Sequence, residues 1–330
     1  MDALADVLDG VRARSAEFCR AVLEPPWALR IADGAALALA TVLRGHAWIV
    51  PDDAEPVLIR PGEVAVIRGP RPYTVGDDPH TAPSIEVLAG GRLRTVDGAD
   101  LSADALGRRP GEPDPEGAAV VASGTYQVGG DIGARLLTAL PAVVHVPRDP
   151  AVAPVLGLLA AELERDEPGQ QVVLDRLLDL ALIATLRAWF ARPEAAAPGW
   201  YRALGDPVVG PALRLVHGDP AHPWSIAELA ARTGASRAAF ARRFAGLVGV
   251  PPMTYVTGWR LTLAADLLRQ TDATVDTIAR RVGYANAFAL SVAFKRVRGV
   301  TPRHHRAAPA SAGHLTLGGG AGPGWTHGDG

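Results

Sequence analysis

Two stretches near the C-terminus repeat one design, and that repetition narrows what the last third of the chain can fold into. Ser225-Ile226-Ala227-Glu228-Leu229-Ala230-Ala231-Arg232-Thr233-Gly234 aligns with Thr274-Val275-Asp276-Thr277-Ile278-Ala279-Arg280-Arg281-Val282-Gly283. Each opens on a hydroxyl residue suited to capping a short amphipathic helix, and each places a small Ala four positions before a Gly. A second helix with Phe on its buried side follows. The Ala lets two helices approach closely and the Gly turns the chain between them, which is the pattern of a helix-turn-helix. One copy arises by chance in many helical hairpins. Two in register, joined by a single helix, point to DNA binding.

Charge is distributed in the same sense. Residues 207–306 hold 14 Lys and Arg against 5 Asp and Glu, whereas residues 1–206 hold 19 against 29. A basic module on an acidic body fits a C-terminal part that meets a polyanion. The chain has 330 residues, 48% of them hydrophobic and 21% charged, enough for two or three soluble domains with their own cores. No apolar run approaches the roughly 18 residues a bilayer span needs, so no membrane partner is expected. Asp2, Asp6 and Asp9 do not fit a signal peptide, and the single Cys19 excludes an intramolecular disulfide. Both features fit a reducing cytoplasm.

The texture changes along the chain. Residues 1 to about 20 read as a short amphipathic helix through Leu4, Val7, Leu8 and Val11. From Trp27 to Tyr126, short β-like runs alternate with turn signals. The clearest runs are 37–43, 47–50, 57–60, 64–67, 84–88 and 120–126, punctuated by Pro61-Gly62, Gly69-Pro70 and Gly90-Gly91. That is the texture of a small barrel or sandwich. Residues 102–117 read as a surface loop. After Pro150 the period becomes helical over 154–165 and 171–192, and the second helix is apolar on more than one face. Either an interface or plain core burial accounts for that surplus. Residues 194–199 form a Pro/Ala linker, and the Gly/Ala-rich 307–330 is expected to be disordered.

Within the basic module, Ser225 and Glu228 make a capping box, and Leu229 and Ala230 face inward. Ser236 caps the next helix, with Phe240 and Phe244 on its buried side. Arg237, Ala238, Ala241 and Arg242 are left toward solvent, on the half that enters a major groove. Arg242 is the candidate base reader, since a guanidinium matches guanine O6 and N7; Arg237 and Arg243 are assigned to phosphates. A helix from Pro251-Pro252 to about Arg269 would space the two units by about 27 Å. In the second unit Asn286 is the cap, Leu290, Ala293, Phe294 and Val297 form the inward stripe, and Ala287, Phe288, Ser291, Val292 and Lys295 face outward; with Asn286 and Arg296 these outward residues are the candidate DNA contacts.

Ile226 to Gly249 followed by Pro252 to Arg306 resembles the DNA-binding domain of the AraC/XylS family of bacterial transcriptional regulators. Ile278-Ala279-Arg280-Arg281-Val282-Gly283-Tyr284 and Phe294-Lys295-Arg296-Val297-Arg298-Gly299-Val300-Thr301-Pro302 carry the likeness most closely. Trp27, Arg44-Gly45, Pro61-Gly62-Glu63-Val64, and Tyr126 followed by 136–141 resemble the cupin-type sensor of one branch of that family. The resemblance implies an α+β multidomain protein: a cupin-like β-barrel or sandwich sensor over 1–145, helices for linking or dimerisation over 146–203, and an all-α double helix-turn-helix over 204–306. It also implies promoter DNA as partner, a homodimer, a small-molecule effector, and contact with RNA polymerase. Where the family usually carries polar or basic side chains on the second reading face, this chain has Ala287, Phe288 and Val292. That departure assigns most sequence discrimination to the first unit.

Cupin enzymes hold a metal with a His-x-His, a carboxylate and a later His. Here His46, His80 and His145 are scattered and Tyr73 stands where the later His is expected, so no metal, cofactor or catalytic residue is assigned. The rival reading, a cupin-fold isomerase or dioxygenase with an incidental basic domain, is disfavoured on that ground. A third reading, an architectural DNA binder without an effector, would discriminate little between promoter and random DNA. Trp27, Trp48 and Tyr73 either line an effector pocket or form core. Cys19 is either an oxidant-sensing thiol or a small apolar residue on the N-terminal helix.

Overall fold

The computed structural model describes residues 19–102, 105–106, 115–126, 128, 130–165, 167–192, 195, 197 and 199–307. Its strands are β1 (Cys19–Leu23), β2 (Ala28–Ala32), β3 (Leu37–Arg44), β4 (Ala47–Pro51), β5 (Val57–Ile59), β6 (Val64–Arg68), β7 (Tyr73–Gly76), β8 (Ile85–Leu88), β9 (Arg92–Thr95), β10 (Asp100–Leu101), β11 (Ala119–Tyr126) and β12 (Val143–Val146). A five-stranded sheet runs β1-β11-β3-β6-β12, and a seven-stranded sheet runs β10-β9-β8-β2-β7-β4-β5. Neighbours pair antiparallel except β2 with β8.

β3 shows why the sheets stack as they do. It is buried along nearly its whole length, because alternate side chains serve two different cores. Ala38, Ala40 and Val42 point between the sheets, into a core with Trp27, Leu29, Ile49, Ile59, Tyr73 and Val75. Leu37 and Leu39 point the other way, toward a layer of helices. Those helices are α1 (Gly130–Ala139), α2 (Ala153–Leu163) and α3 (Gln170–Phe190). The Tyr126 hydroxyl donates to Leu178 O at 2.8 Å and pins α3 to the sheet.

The C-terminal helices are α4 (Gly199–Leu204), α5 (Val209–Gly218), α6 (Ile226–Arg232), α7 (Arg237–Val248), α8 (Pro252–Gln270), α9 (Val275–Arg281), α10 (Ala287–Arg298) and α11 (Pro302–Ala307). Their burial divides unexpectedly. The core under the five-stranded sheet continues through Leu159, Leu178 and Phe190 into Leu213, Phe240, Phe244, Tyr255 and Trp259. The first helix-turn-helix therefore shares its core with the N-terminal part. The second has a core of its own, built from Leu261, Ala265, Leu268, Ile278, Leu290 and Phe294.

Several expectations change. Cys19 opens β1 opposite Ser123, and is not on a helix; Ala21 and Leu23 are buried at the period of a strand. Residues 1–18, the 308–330 tail and most of the 102–117 loop lie outside the described residues. Trp27, Trp48 and Tyr73 do not share one environment. Trp27 and Tyr73 are packed in the core between the sheets, while Trp48 is half-buried on the opposite face of β4 from Ile49. The histidines are spread apart: His46 Nε2 meets Asp77 O at 3.0 Å, and His145 Nε2 meets a Glu63 carboxylate oxygen at 3.1 Å. Among the described residues no three His, Cys, Asp or Glu are grouped so as to hold a metal ion, and no helix is long and apolar enough to cross a membrane.

Candidate nucleic-acid interface

The two units are built alike down to single hydrogen bonds. Ser225 Oγ accepts from Glu228 N, and Thr274 Oγ1 accepts from Thr277 N, each fixing the start of a seven-residue helix. The chain then turns at Gly234 and Gly283, with Ala235 N donating to Ala230 O and Tyr284 N to Ala279 O. Ser236 caps α7 through Ala239 N at 3.3 Å, and Asn286 caps α10 through Ala289 N at 2.9 Å. Both of these second helices are 12 residues long and end at a left-handed glycine, Gly249 or Gly299.

Aligned cap to cap, Arg237, Ala238, Ala241 and Arg242 correspond to Ala287, Phe288, Ser291 and Val292. Arg237, Ala238 and Arg242 are exposed and Ala241 is half-buried, opposite the buried Phe240 and Phe244. On the second face Phe288 is 78% exposed and Val292 53%, unusual for such large apolar side chains. Lys295 and Arg296 continue that face in the open. Ser291 is half-buried, and its hydroxyl donates to Ala287 O at 2.7 Å. Val297, expected inward, is 55% exposed. It lies in the last turn, past the reach of the core under Leu290, Ala293 and Phe294.

Arg243 has a protein partner of its own. Its guanidinium bonds Asp206, with Nε at 2.9 and 3.1 Å from the two carboxylate oxygens and a terminal nitrogen at 2.8 Å. Asp206 in turn accepts from Val208 N and Val209 N at the start of α5. Burial pushes the Asp206 carboxyl up, but the Arg243 bond and those two N–H groups outweigh it and hold the carboxyl below its ordinary range. Arg243 thus orients α7 on α5 while its side chain stays half exposed.

Three contributors were not legible in the sequence. Asp276 Oδ1 accepts from Ala287 N at 3.2 Å and steadies the start of α10. Arg260, on α8, donates to Pro220 O at 2.8 Å and His222 O at 2.6 Å. Asp131, on α1, is ion-paired with Arg298 at the end of α10. Only the first had a local signal, an acidic residue in the first turn of α9.

A family model described as "Cupin" matches residues 2–191, and one described as "Helix-turn-helix domain" matches residues 229–308. A putative AraC-like transcription regulator of Streptomyces lividans is 35% identical over 316 residues, spanning 94% of this chain and 99% of that protein. The HTH-type transcriptional regulator AlkR of Acinetobacter baylyi is 26% identical over 313 residues, 93% of this chain and 99% of its own length. Among solved structures, the DNA-binding domain of AdpA in complex with a target DNA is 32% identical, covers 31% of this chain and 92% of that one, and has a TM-score of 0.30. Twin capped readers on a basic module, preceded by stacked sheets of cupin type and matched to such relatives almost end to end, place the chain in the AraC-like transcription regulators: it is a DNA-binding regulator and not an enzyme.

Proposed function

We propose that both reading faces meet successive major grooves of a promoter and that they divide the work unequally. Arg242, with Ala238 and Ala241 beside it, reads bases; Arg237 holds a phosphate. Phe288 and Val292 pack against thymine methyls, and Lys295 and Arg296 contact the backbone. Exposure of Arg242 beside the buried Phe240 and Phe244 is the observation that carries this assignment. Residues 204–306 form the reading module, and the sheets with α1–α3 form the sensing part. Leu158, Val172, Val173 and Leu180 are exposed on α2 and α3 and support homodimer formation through that side. A small effector bound by the sensing part would then act by population shift on how two modules are presented to DNA and to RNA polymerase.

The test is selection of bound sites from random DNA, then titration of the selected site. The full chain should prefer it to random DNA by about 10³-fold or more. Arg242→Ala should reduce that preference about 10-fold or more, and Phe288→Ala should reduce it less. An Arg242→Ala protein with intact preference, alongside altered preference in Phe288 or Ser291 variants, would reverse the assignment.

A further inference from the structure

Two reading helices find two boxes at once only if the angle between the units is fixed. A helix of 19 residues, α8, joins them and packs into both cores, through Tyr255 and Trp259 on one side and Leu261, Ala265 and Leu268 on the other. The loop 219–224, which leads into α6 of the first unit, is itself braced. His222 N donates to Asp219 Oδ1 at 3.1 Å, Trp224 Nε1 donates to Asp219 O at 2.8 Å, and His222 Nε2 meets Glu228 Oε1 at 2.9 Å. Trp224 is buried.

Against this loop presses the turn of the second unit. Gly283 has φ +84°, and a β-carbon there would stand 2.8 Å from Pro220 O, 2.9 Å from Ala221 O and 2.9 Å from Arg260 Cζ. Both the conformation and the space therefore require glycine. Arg260 fills the junction. It is half-buried on α8, and its two bonds go to carbonyls of the first unit while its guanidinium carbon lies against the turn of the second. A planar fork with several fixed donors can bridge two carbonyls; a lysine ammonium acts as a single point.

We propose that Arg260 is a positioning residue: the strut that sets the angle between the two reading helices and so the spacing of the two boxes the protein accepts. This rests on the assignment of both faces to DNA. Arg260 itself touches no base. Inserting one base pair moves the second box by about 3.4 Å and turns it by about 35°, which a rigid pair cannot follow and a loosened pair can.

The experiment uses the full chain. A bipartite site recovered by selection is rebuilt with one and two base pairs inserted or removed between its boxes, and affinity is measured on each duplex. The wild-type protein should lose about 10-fold or more per inserted pair. Arg260→Gln should lose less than about 3-fold, with its box sequences unchanged on reselection. Arg260→Lys keeps stem and charge and should also flatten the spacing profile, and it is decisive if the Gln variant does not fold. A wild-type spacing profile in the Lys variant overturns the proposal. Recovery of a single box by the wild-type protein sinks the two-face assignment, and the strut with it, whereas a bipartite site with an unchanged variant profile sinks the strut alone.

Discussion

Asp131 and Arg298 stand 167 residues apart in the chain, yet they form an ion pair that ties the first turn of α1 to the last residue of α10. Each side chain is only about one fifth exposed. Beside them Asp266, buried on α8, accepts from Asp131 N at 2.7 Å, and a β-carbon on Gly130 would fall 2.5 Å from the same Asp266 oxygen. The N-terminal part thus holds the second helix-turn-helix at the end of α10. Asp131→Arg should destabilise the second unit by about 1–3 kcal/mol, the range for stranding a partly buried charge. Asp131→Arg combined with Arg298→Asp should recover most of it. Hydrogen exchange of α10 is the measurement, and failure of the double variant to recover protection would remove the pair from the interface energetics.

The division of cores predicts unequal consequences for two equivalent phenylalanines. Phe244 and Phe294 are both fully buried, but Phe244 belongs to the core shared with the sheets and Phe294 to the separate one. Truncating either to Ala should cost about 3–5 kcal/mol. For Phe294→Ala the loss should be confined to α9–α11, with α3 still protected. For Phe244→Ala the protection of α3 should fall as well. Equal losses throughout the chain in both variants would show that the cores are not energetically separable.

His305 gives the second unit a pH dependence. It is buried and packs edge-on against Phe294, with ring centroids 5.3 Å apart. Burial, then the charges of Arg269 and Arg298, pull its pKa below the ordinary imidazole value; a backbone bond to Ala265 opposes them. The folded state therefore favours neutral imidazole, and the unfolded state takes up more protons as pH falls through about 6.5. The stabilisation is complete above that value and is lost as pH drops toward the lower folded pKa. Thermal unfolding from pH 7.5 to 5 should show the second unit weakening, and His305→Leu should flatten that slope. An unchanged slope in the variant would place the proton elsewhere.

Binding should also be steeply salt-dependent. Two basic units making about six or more phosphate contacts would lose about 10³-fold in affinity between 50 and 200 mM salt. Arg237→Ala should lower the slope by about one counterion without changing which sequence is preferred. A change of preference would make Arg237 a base reader. Arg243→Gln offers a contrast. Its guanidinium serves Asp206, so stability should fall and the salt slope should stay.

Much of the double reader could be read from the chain because its signals are local. Caps at Ser225, Ser236, Thr274 and Asn286, turns at Gly234 and Gly283, and the Phe240/Phe244 spacing each act within a few residues. β3, β4, β6 and β11 were legible for the same reason, as apolar runs between turn signals. What escaped was set by distance along the chain. Arg260 looks like one more surface cation until loop 219–222 folds over it, and Asp131 like one more acid until Arg298 arrives. Val297 followed the helical period correctly and still ended in the open, because the core stops one turn short of it. Cys19 reads as helical in the sequence because a strand of five residues, Cys19–Leu23, is too short for its alternation to stand out beside the preceding Leu and Val residues.

The core that β3 starts on its helix-facing side, and that ends at Trp259, makes the first reader inseparable from the sheets. Cutting the chain before Gly199 would strip partners from Tyr201, which packs on Phe190 at 4.6 Å, and leave an oily scar on the excised fragment. Exchange of modules between relatives would have to cross that seam, so a chimera with a foreign N-terminal part would inherit mismatched packing along it.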